Sequence, residues 1–89
     1  MLFICSSIDW NDLDGELALF DPRDGRYHAL NPPAAAIWRG IADGLSPAMI
    51  VARLAGLYAA PPDHIAADVA AFIDQALAKG LIERRGDAG

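Results

Sequence analysis

The stretch LFDPRDGRYHALNPPAAAIW, residues 19–38, decides the fold. An Asp-Gly pair at 24–25 lies between two apolar runs, and such a pair is a strong signal for a β-hairpin. Pro22 suits the first central position of a type I turn, and the glycine can take the positive φ that closes the turn. The sequence therefore predicts a hairpin whose strands are Glu16–Asp21 and Arg26–Leu30.

Three helices are predicted after the hairpin. Asn31 and Ser46 are suitable N-caps for the first and second helices, and the prolines that follow them occupy positions that the first turn of a helix tolerates. Asp43 and Gly44 end the first helix. Apolar residues recur at helical spacing in all three segments, and Lys79 and Gly80 fit the last turn and the stop of the third. The predicted helices are Pro33–Ala42, Pro47–Tyr58 and Asp63–Lys79.

The N-terminal segment predicts one more strand, from about Phe3–Asp9, where apolar residues alternate in part. Residues 11–16, NDLDGE, then supply turn residues. Residues 81–85, LIERR, either add a short final strand or pack back on the domain. The predicted fold is α+β, a winged helix-turn-helix with a three-stranded antiparallel sheet followed by three helices. It forms one domain over residues 1–85, with a flexible tail at 86–89.

The third predicted strand, Arg26–Leu30, has a partner on one side only unless the first strand covers it. An open strand edge presents unpaired N–H and C=O groups to any extended chain that fits. With the third helix beside it, this strand would frame a groove with apolar walls. Such a groove suits strand addition, in which main-chain hydrogen bonds supply affinity and pockets for alternate side chains supply selectivity.

Composition and charge limit the classes of function. The chain has 89 residues, an apolar fraction of 54% and a formal net charge of −5, so a basic face for nucleic acid or anionic membrane is not expected. A single cysteine, Cys5, forms no internal disulfide and fits an intracellular setting. The N-terminus lacks the basic and long apolar regions of a signal peptide, and no apolar run reaches membrane-spanning length. A cytoplasmic location is expected.

Calcium binding is the first chemical alternative. Asp12, Asp14, Gly15 and Asp21 match positions 3, 5, 6 and 12 of an EF-hand loop. Position 1 would be Trp10, which cannot ligate calcium, and the flanking segments read as strands rather than helices. A solvated acidic turn is the better interpretation.

Catalysis and metal binding also lack support. His28 and His64 are the two histidines, and neither has a ligand-type residue at the spacing that a metal site requires. A Cys5–His28 nucleophile pair would have no orienting third group and no oxyanion loop. We predict a non-catalytic protein with no catalytic residues, no metal and no cofactor.

DNA binding is the main alternative of another class, because a helix-turn-helix invites it. A recognition helix presents Arg, Lys, Asn or Gln on its outward face. The third predicted helix carries instead Asp63, Asp68, Asp74, Gln75 and Lys79, a mostly acidic set that phosphate would repel. The arginines are dispersed along the chain. We therefore rank a winged-helix DNA-binding regulator behind a peptide-binding module and predict no nucleic-acid partner.

The residues also resemble a known family. The pattern G-R-Y-H-x-L-N leading into A-A-A-I-W, followed by D-V-x-x-F-I and L-x-x-G-L-I, is similar to the PqqD family of leader-binding proteins, or RiPP recognition elements, of ribosomally made peptide natural products. The resemblance covers roughly Leu17–Ile82, most of the chain. Each motif alone is weak, whereas all of them in this order and spacing form a specific signal.

The resemblance implies a winged helix-turn-helix that performs no chemistry. In the family, the leader of a precursor peptide adds as an antiparallel strand to the third strand and lies against the third helix. Carried over by position, the implied peptide-binding residues are Arg26, Tyr27, His28, Ala29 and Leu30 on the strand, and Ile65, Asp68, Val69, Phe72, Ile73 and Ala76 on the helix. Asp68 matches a recurrent family aspartate, which would bind a basic leader residue or make a local contact.

The implied partners are a precursor leader peptide and a processing enzyme. The pattern favours a lasso-peptide pathway, in which such a protein hands the precursor to a separate leader peptidase. The alternative is pyrroloquinoline quinone assembly, where the partner is a radical SAM enzyme. An open strand edge also allows a homodimer through edge pairing.

Overall fold

A computed structural model describes residues 1–14 and 16–85. The predicted tail at 86–89 and Gly15 lie outside the described residues. Within those ranges the chain forms, in order, the elements β1 Leu2–Ile4, β2 Asp9–Leu13, β3 Glu16–Asp21, β4 Arg26–Leu30, α1 Pro32–Ala42, α2 Pro47–Leu57, α3 Pro62–Ala78 and β5 Ile82–Arg84.

The three-stranded antiparallel sheet followed by three helices is confirmed, with strand order β2-β3-β4. The predicted strand at Phe3–Asp9 is wrong, because that segment holds the end of one strand and the start of another. A turn separates them, in which the Ile8 N–H donates to the Cys5 carbonyl at 3.0 Å. β2 then runs through Asn11–Leu13, a stretch predicted as turn. The partial alternation marked two short strands rather than one.

The N- and C-terminal segments form a second sheet. β1 pairs antiparallel with β5, with Phe3 opposite Glu83, so residues 81–85 do provide a final strand. The Cys5 N–H extends this contact by donating to the Leu81 carbonyl at 3.0 Å. The two-stranded sheet therefore fastens the start of the chain to the residues that follow α3.

Side-chain caps begin the first two helices as the sequence predicts. The Asn31 side chain accepts a hydrogen bond from the Ala34 N–H at 3.0 Å, and the Ser46 hydroxyl accepts one from the Met49 N–H at 3.3 Å. These caps satisfy N–H groups that have no partner within the helix. Gly80, with φ of 72°, ends the third helix. The predicted bounds agree with the observed ones to within one residue at every end.

The core lies between the three-stranded sheet and the helices. Its largest fully buried side chains are Trp38, Leu17, Leu19, Ile50 and Val69. Trp38 sits at the centre, and the ring of Trp10 on β2 packs against it in a T-shaped arrangement with 6.2 Å between ring centroids. Aromatic pairs favour this geometry, which adds about 0.5–1.5 kcal/mol to their burial.

Helices α1 and α2 meet at a glycine. A Cβ atom added to Gly40 would lie 2.8 Å from Cγ1 of Ile50, a side chain that is itself fully buried. That separation is shorter than a van der Waals contact, so the close approach of the two helices requires a residue without a side chain at this position.

Gly40→Ala should lower the free energy of unfolding by about 1 kcal/mol, because overpacking costs more than the gain in helix propensity returns. Gly56→Ala is the matched control, since a Cβ there meets no atom within 4 Å, and it should raise stability by about 0.5 kcal/mol. Urea unfolding of both variants measures the difference. Equal stabilisation by both substitutions would contradict the packing argument.

Candidate functional site

A groove lies between strand β4 and helix α3. It encloses a cavity of about 460 Å³. The residues that line it are Tyr27, His28, Ala29, Leu30, Asn31, Ala34, Phe72, Gln75, Ala76, Lys79 and Leu81. We call this feature the groove; one of its sides is the edge of a sheet and the other is a helix face.

The β2–β3 hairpin determines which neighbouring strand the N–H and C=O groups of each β3 residue face. Leu13 and Glu16 pair across a two-residue connection whose first residue, Asp14, has φ of 48°. Residues that close a two-residue hairpin of this kind form a hydrogen-bonded pair. Even-numbered residues of β3 therefore bond to β2, and odd-numbered residues bond to β4. The Asp21 carbonyl agrees, because it accepts from the Gly25 N–H across the next turn at 2.9 Å.

The same alternation fixes which main-chain groups of β4 are unpaired. Leu19 lies opposite His28 in the β3–β4 register, so His28 bonds to β3 and its neighbours Tyr27 and Ala29 point their N–H and C=O groups the other way. β4 is the last strand of its sheet. The main chain of these two residues therefore faces the groove, and no strand within residues 1–14 and 16–85 pairs with it there.

Side chains of β4 alternate between the two faces of the sheet. His28 and Leu30 lie on the same face as their buried partners Leu19 and Leu17, toward the helices. Tyr27 lies on the opposite, solvent face, where it is 77% exposed and packs against Phe20 with 4.7 Å between ring centroids. Tyr27 and Ala29 thus contribute main-chain groups to the groove, whereas His28 and Leu30 contribute side chains.

One stripe of helix α3 forms the opposite wall. Phe72, Gln75, Ala76 and Lys79 follow at spacings of three and four residues, which places them on one helix face. Phe72 is half-buried and packs against the core while it lines the groove. Ala76 is buried, and its small side chain leaves room between helix and strand. The wall is therefore apolar at Phe72 and Ala76 and becomes polar toward the C-terminal end of α3, at Lys79.

The structure brings six of the predicted site residues together in the groove: Tyr27, His28, Ala29, Leu30, Phe72 and Ala76. Ile65, Val69 and Ile73 lie instead in the core, each at most 5% exposed. Asp68 is exposed on α3, one turn before Phe72, and does not line the cavity.

The remaining predicted residue, Arg26, lies beyond the hairpin end of the groove. It lines a second, smaller cavity of about 400 Å³ together with Tyr27, His28 and Lys79. The sequence prediction missed five residues that line the groove: Asn31, Ala34, Gln75, Lys79 and Leu81. Helical spacing from Phe72 alone would have found Gln75 and Lys79.

An ion pair between the buried Asp21 and the partly exposed Arg23 holds the hairpin turn against the end of α3. The Arg23 guanidinium donates to both carboxylate oxygens of Asp21 at 2.9 Å and to the Gly80 carbonyl at 2.7 Å. Asp21 is 3% exposed, and its hydrogen bonds from Arg23 hold the pKa of its carboxyl below the ordinary value, against the opposing effect of burial. We call this three-residue arrangement the Arg23 contact.

Asp21→Asn should destabilise the protein near neutral pH, since it removes the anion that Arg23 binds. Because the folded state lowers the pKa of Asp21, its contribution is present at neutral pH and is lost as the pH falls below about 5 and through the folded pKa. Urea unfolding from about pH 7 to about pH 3 should show the difference between wild type and variant shrinking.

Asp24→Asn is the control for this series. Asp24 is exposed, and its Oδ2 lies 3.9 Å from Nε of Arg26. Its Oδ1 accepts a hydrogen bond from the Arg26 N–H at 3.0 Å, and asparagine keeps that acceptor, so the substitution should change stability little. A stability difference for Asp21→Asn that stays constant across the pH series would contradict the assigned role of the carboxylate.

The other candidate chemical groups have partners or stand apart. Asp12 pairs with Arg39, and Cys5 is half-buried with its Sγ 3.4 Å from the Ser7 hydroxyl, a hydrogen bond that lowers the pKa of the thiol. Within residues 1–14 and 16–85, His, Cys, Asp and Glu form no group of three that could hold a metal ion.

None of the helices in that part of the chain combines the length and the apolar run that a membrane crossing requires.

Comparison with known proteins identifies the family of this chain. The family described as Coenzyme PQQ synthesis protein D (PqqD) matches residues 16–82. The chain belongs to the PqqD family. That match confirms the family predicted from the sequence and includes β4, α3 and every residue that lines the groove. No match was found among curated proteins.

Two solved structures resemble this PqqD-family chain over nearly its whole length. One is described as TbiB1 in complex with the TbiA(beta) leader peptide, with a TM-score of 0.87, 24% identity and coverage of 96% of this chain and 99% of that one. The other is described as lasso peptide synthetase B1 complexed with the leader peptide, with a TM-score of 0.85, 28% identity and coverage of 93% and 98%. They confirm the α+β fold.

Proposed function

We propose that this protein binds the leader of a ribosomally synthesised precursor peptide by strand addition to β4, and presents it to a processing enzyme. The observation that carries the proposal is the unpaired edge of β4, which faces a helix across a groove. The leader would lie in that groove as the fourth strand of the sheet.

The main chain of β4 supplies the hydrogen bonds for such a strand. Tyr27 and Ala29 each offer an N–H and a C=O toward the groove, four groups in all. An antiparallel guest matches the rest of the sheet, and antiparallel pairing is slightly more stable per residue than parallel pairing. Each hydrogen bond contributes about 0.5–1.5 kcal/mol net, so the edge supplies affinity for almost any extended sequence.

Selectivity must then come from side chains. Every second residue of the guest would point toward α3, where it meets Phe72, Ala76 and Leu30. These residues favour apolar guest side chains. Arg26 and Asp68 remain predicted contacts beyond the two ends of the groove. Ile65, Val69 and Ile73 would act from the core by holding the wall in place rather than by touching the peptide.

The similar solved structures support the choice of ligand. Both are described as complexes with a leader peptide, and one of them, at 28% identity, is a lasso peptide synthetase component. We therefore favour a lasso-peptide pathway, in which the protein performs no catalysis and passes the precursor to a leader peptidase in the cytoplasm. The runner-up is a peptide chaperone for a radical SAM enzyme in pyrroloquinoline quinone assembly.

Calorimetric titration with leader peptides encoded near the gene tests the proposal, at two salt concentrations. We expect saturable one-to-one binding to one leader, with an affinity that changes little with salt. A DNA-binding regulator would instead show affinity for duplex DNA that falls steeply with salt through counterion release. No binding to any neighbouring leader, with salt-dependent DNA binding, would overturn the proposal.

Ala29→Pro tests the placement of the leader on β4. The substitution removes an N–H that faces the groove, and proline is tolerated on edge strands when its N–H side faces solvent. We expect leader affinity to fall by about tenfold or more, which corresponds to about 1.4 kcal/mol, while the circular dichroism spectrum stays that of the folded protein. Titration of the variant with the same leader measures the change.

His28→Pro is the matched control, one residue away. The His28 N–H faces β3, so its loss should lower the free energy of unfolding instead, as a ladder hydrogen bond is removed. A folded Ala29→Pro variant with unchanged leader affinity would show that the leader binds elsewhere. A homodimer through β4 would compete for the same edge, and gel filtration with and without leader would reveal it.

A further inference from the structure

We propose that the groove also selects leaders by their direction and charge. Lys79 binds an acidic leader residue, which lies on the C-terminal side of the residue that contacts Phe72. This inference rests on the proposed function. It adds one charged position to the apolar pattern that Phe72, Ala76 and Leu30 select.

Lys79 has the position of a ligand-binding cation. It is exposed, lines both the groove and the smaller cavity at the hairpin end, and follows α3 as its C-cap residue. The C-terminus of a helix favours a cation there. Among the described residues, no carboxylate lies within 4.0 Å of its ammonium group, whereas nearby Asp21 and Asp24 have Arg23 and Arg26 as partners.

The two ends of the groove differ in chemistry. The smaller cavity is lined by Lys79 together with Asp21, Asp24, Arg26, Tyr27 and His28, which places Lys79 at the start of β4. Phe72 does not line that cavity and lies seven residues earlier on α3, about 10 Å away along the helix axis. The groove therefore runs from an apolar end beside Phe72 to a charged end, where Asp21 and Asp24 have arginine partners and Lys79 has no carboxylate partner among the described residues.

Because β4 has a chain direction, the difference between the two ends of the groove predicts a sequence pattern in the leader. A guest that is antiparallel to β4 runs from the Leu30 end toward the Tyr27 end, and so passes Phe72 before Lys79. An extended strand rises about 3.4 Å per residue, so about 10 Å corresponds to roughly three residues. We expect the acidic residue two to four positions after the apolar one, since side chains on one face recur every second residue.

The charge of the whole protein makes this position distinctive. The formal net charge is −5, so at long range an acidic leader is disfavoured and a basic one is favoured. Lys79 is the single lysine of the chain. A single cation that binds one carboxylate within an otherwise acidic protein would therefore select an acidic residue at one position of the leader, rather than acidic peptides in general.

A displayed library of random twelve-residue peptides tests the inference with the purified full-length protein. We expect wild type to enrich peptides with Asp or Glu two to four residues after an apolar residue. Lys79→Glu should remove that preference and favour Lys or Arg at the same position. Replacing the acid of a selected peptide by its amide should weaken binding to wild type by about two- to fivefold, the range of an exposed ion pair, and leave binding to Lys79→Gln unchanged.

Arg84→Glu is the control, because it changes the net charge equally but lies on β5, outside both cavities. It should keep the wild-type preference. Enriched apolar peptides with no acid preference, or the same preference in wild type and both Lys79 variants, would overturn the charge rule and leave the proposed function intact. No enrichment of any extended peptide by folded wild type would overturn both.

Discussion

The groove depends on the Arg23 contact, which joins the β3–β4 turn to the residues after α3. The turn is the tip of a hairpin, and Gly80 is where the helix stops. The bidentate pairing with buried Asp21 fixes the orientation of the guanidinium, which also donates a hydrogen bond to the Gly80 carbonyl. The Arg23 contact therefore helps to fix the spacing between strand edge and helix on which the proposed strand addition relies.

The sheet of β1 and β5 reinforces that spacing from the other side. It holds the segment after α3 to the start of the chain, and the Cys5 N–H donates to the Leu81 carbonyl next to Gly80. The end of α3 is thus held by the hairpin turn and by the N-terminal segment. Among the described residues, by contrast, no strand lies on the open side of β4, so a fixed frame surrounds an unpaired strand edge at the groove.

Local signals in the sequence predicted most of the fold. The Asp-Gly turn, the Asn31 and Ser46 caps and the glycine stops each act over a few residues, and each was found where expected. The strand at Phe3–Asp9 failed because pairing of β1 with β5 joins residues about eighty positions apart, which no local pattern reports. The same alternation of apolar residues fits one strand or two.

The site was predicted less completely than the fold. The edge strand follows from topology and was found, but a helix that serves both core and groove presents apolar residues on two adjoining stripes. Val69 and Ile73 point into the core while Phe72, between them in sequence, reaches the groove. Hydrophobicity alone does not separate these stripes, and it gives no weight to Gln75 and Lys79. Only the position of α3 relative to β4 distinguishes them.

The solvent face of β4 has a consequence for how a bound leader would be handed on. Tyr27 and Phe20 form an aromatic pair on that face, away from the helices. A fourth strand would place half of its side chains beside this pair, while the other half enter the groove. The leader side chains in the groove would then hold the peptide, while those on the solvent face would stay exposed beside Tyr27 and Phe20. A second protein could bind this exposed part of the leader and the aromatic pair as one continuous surface.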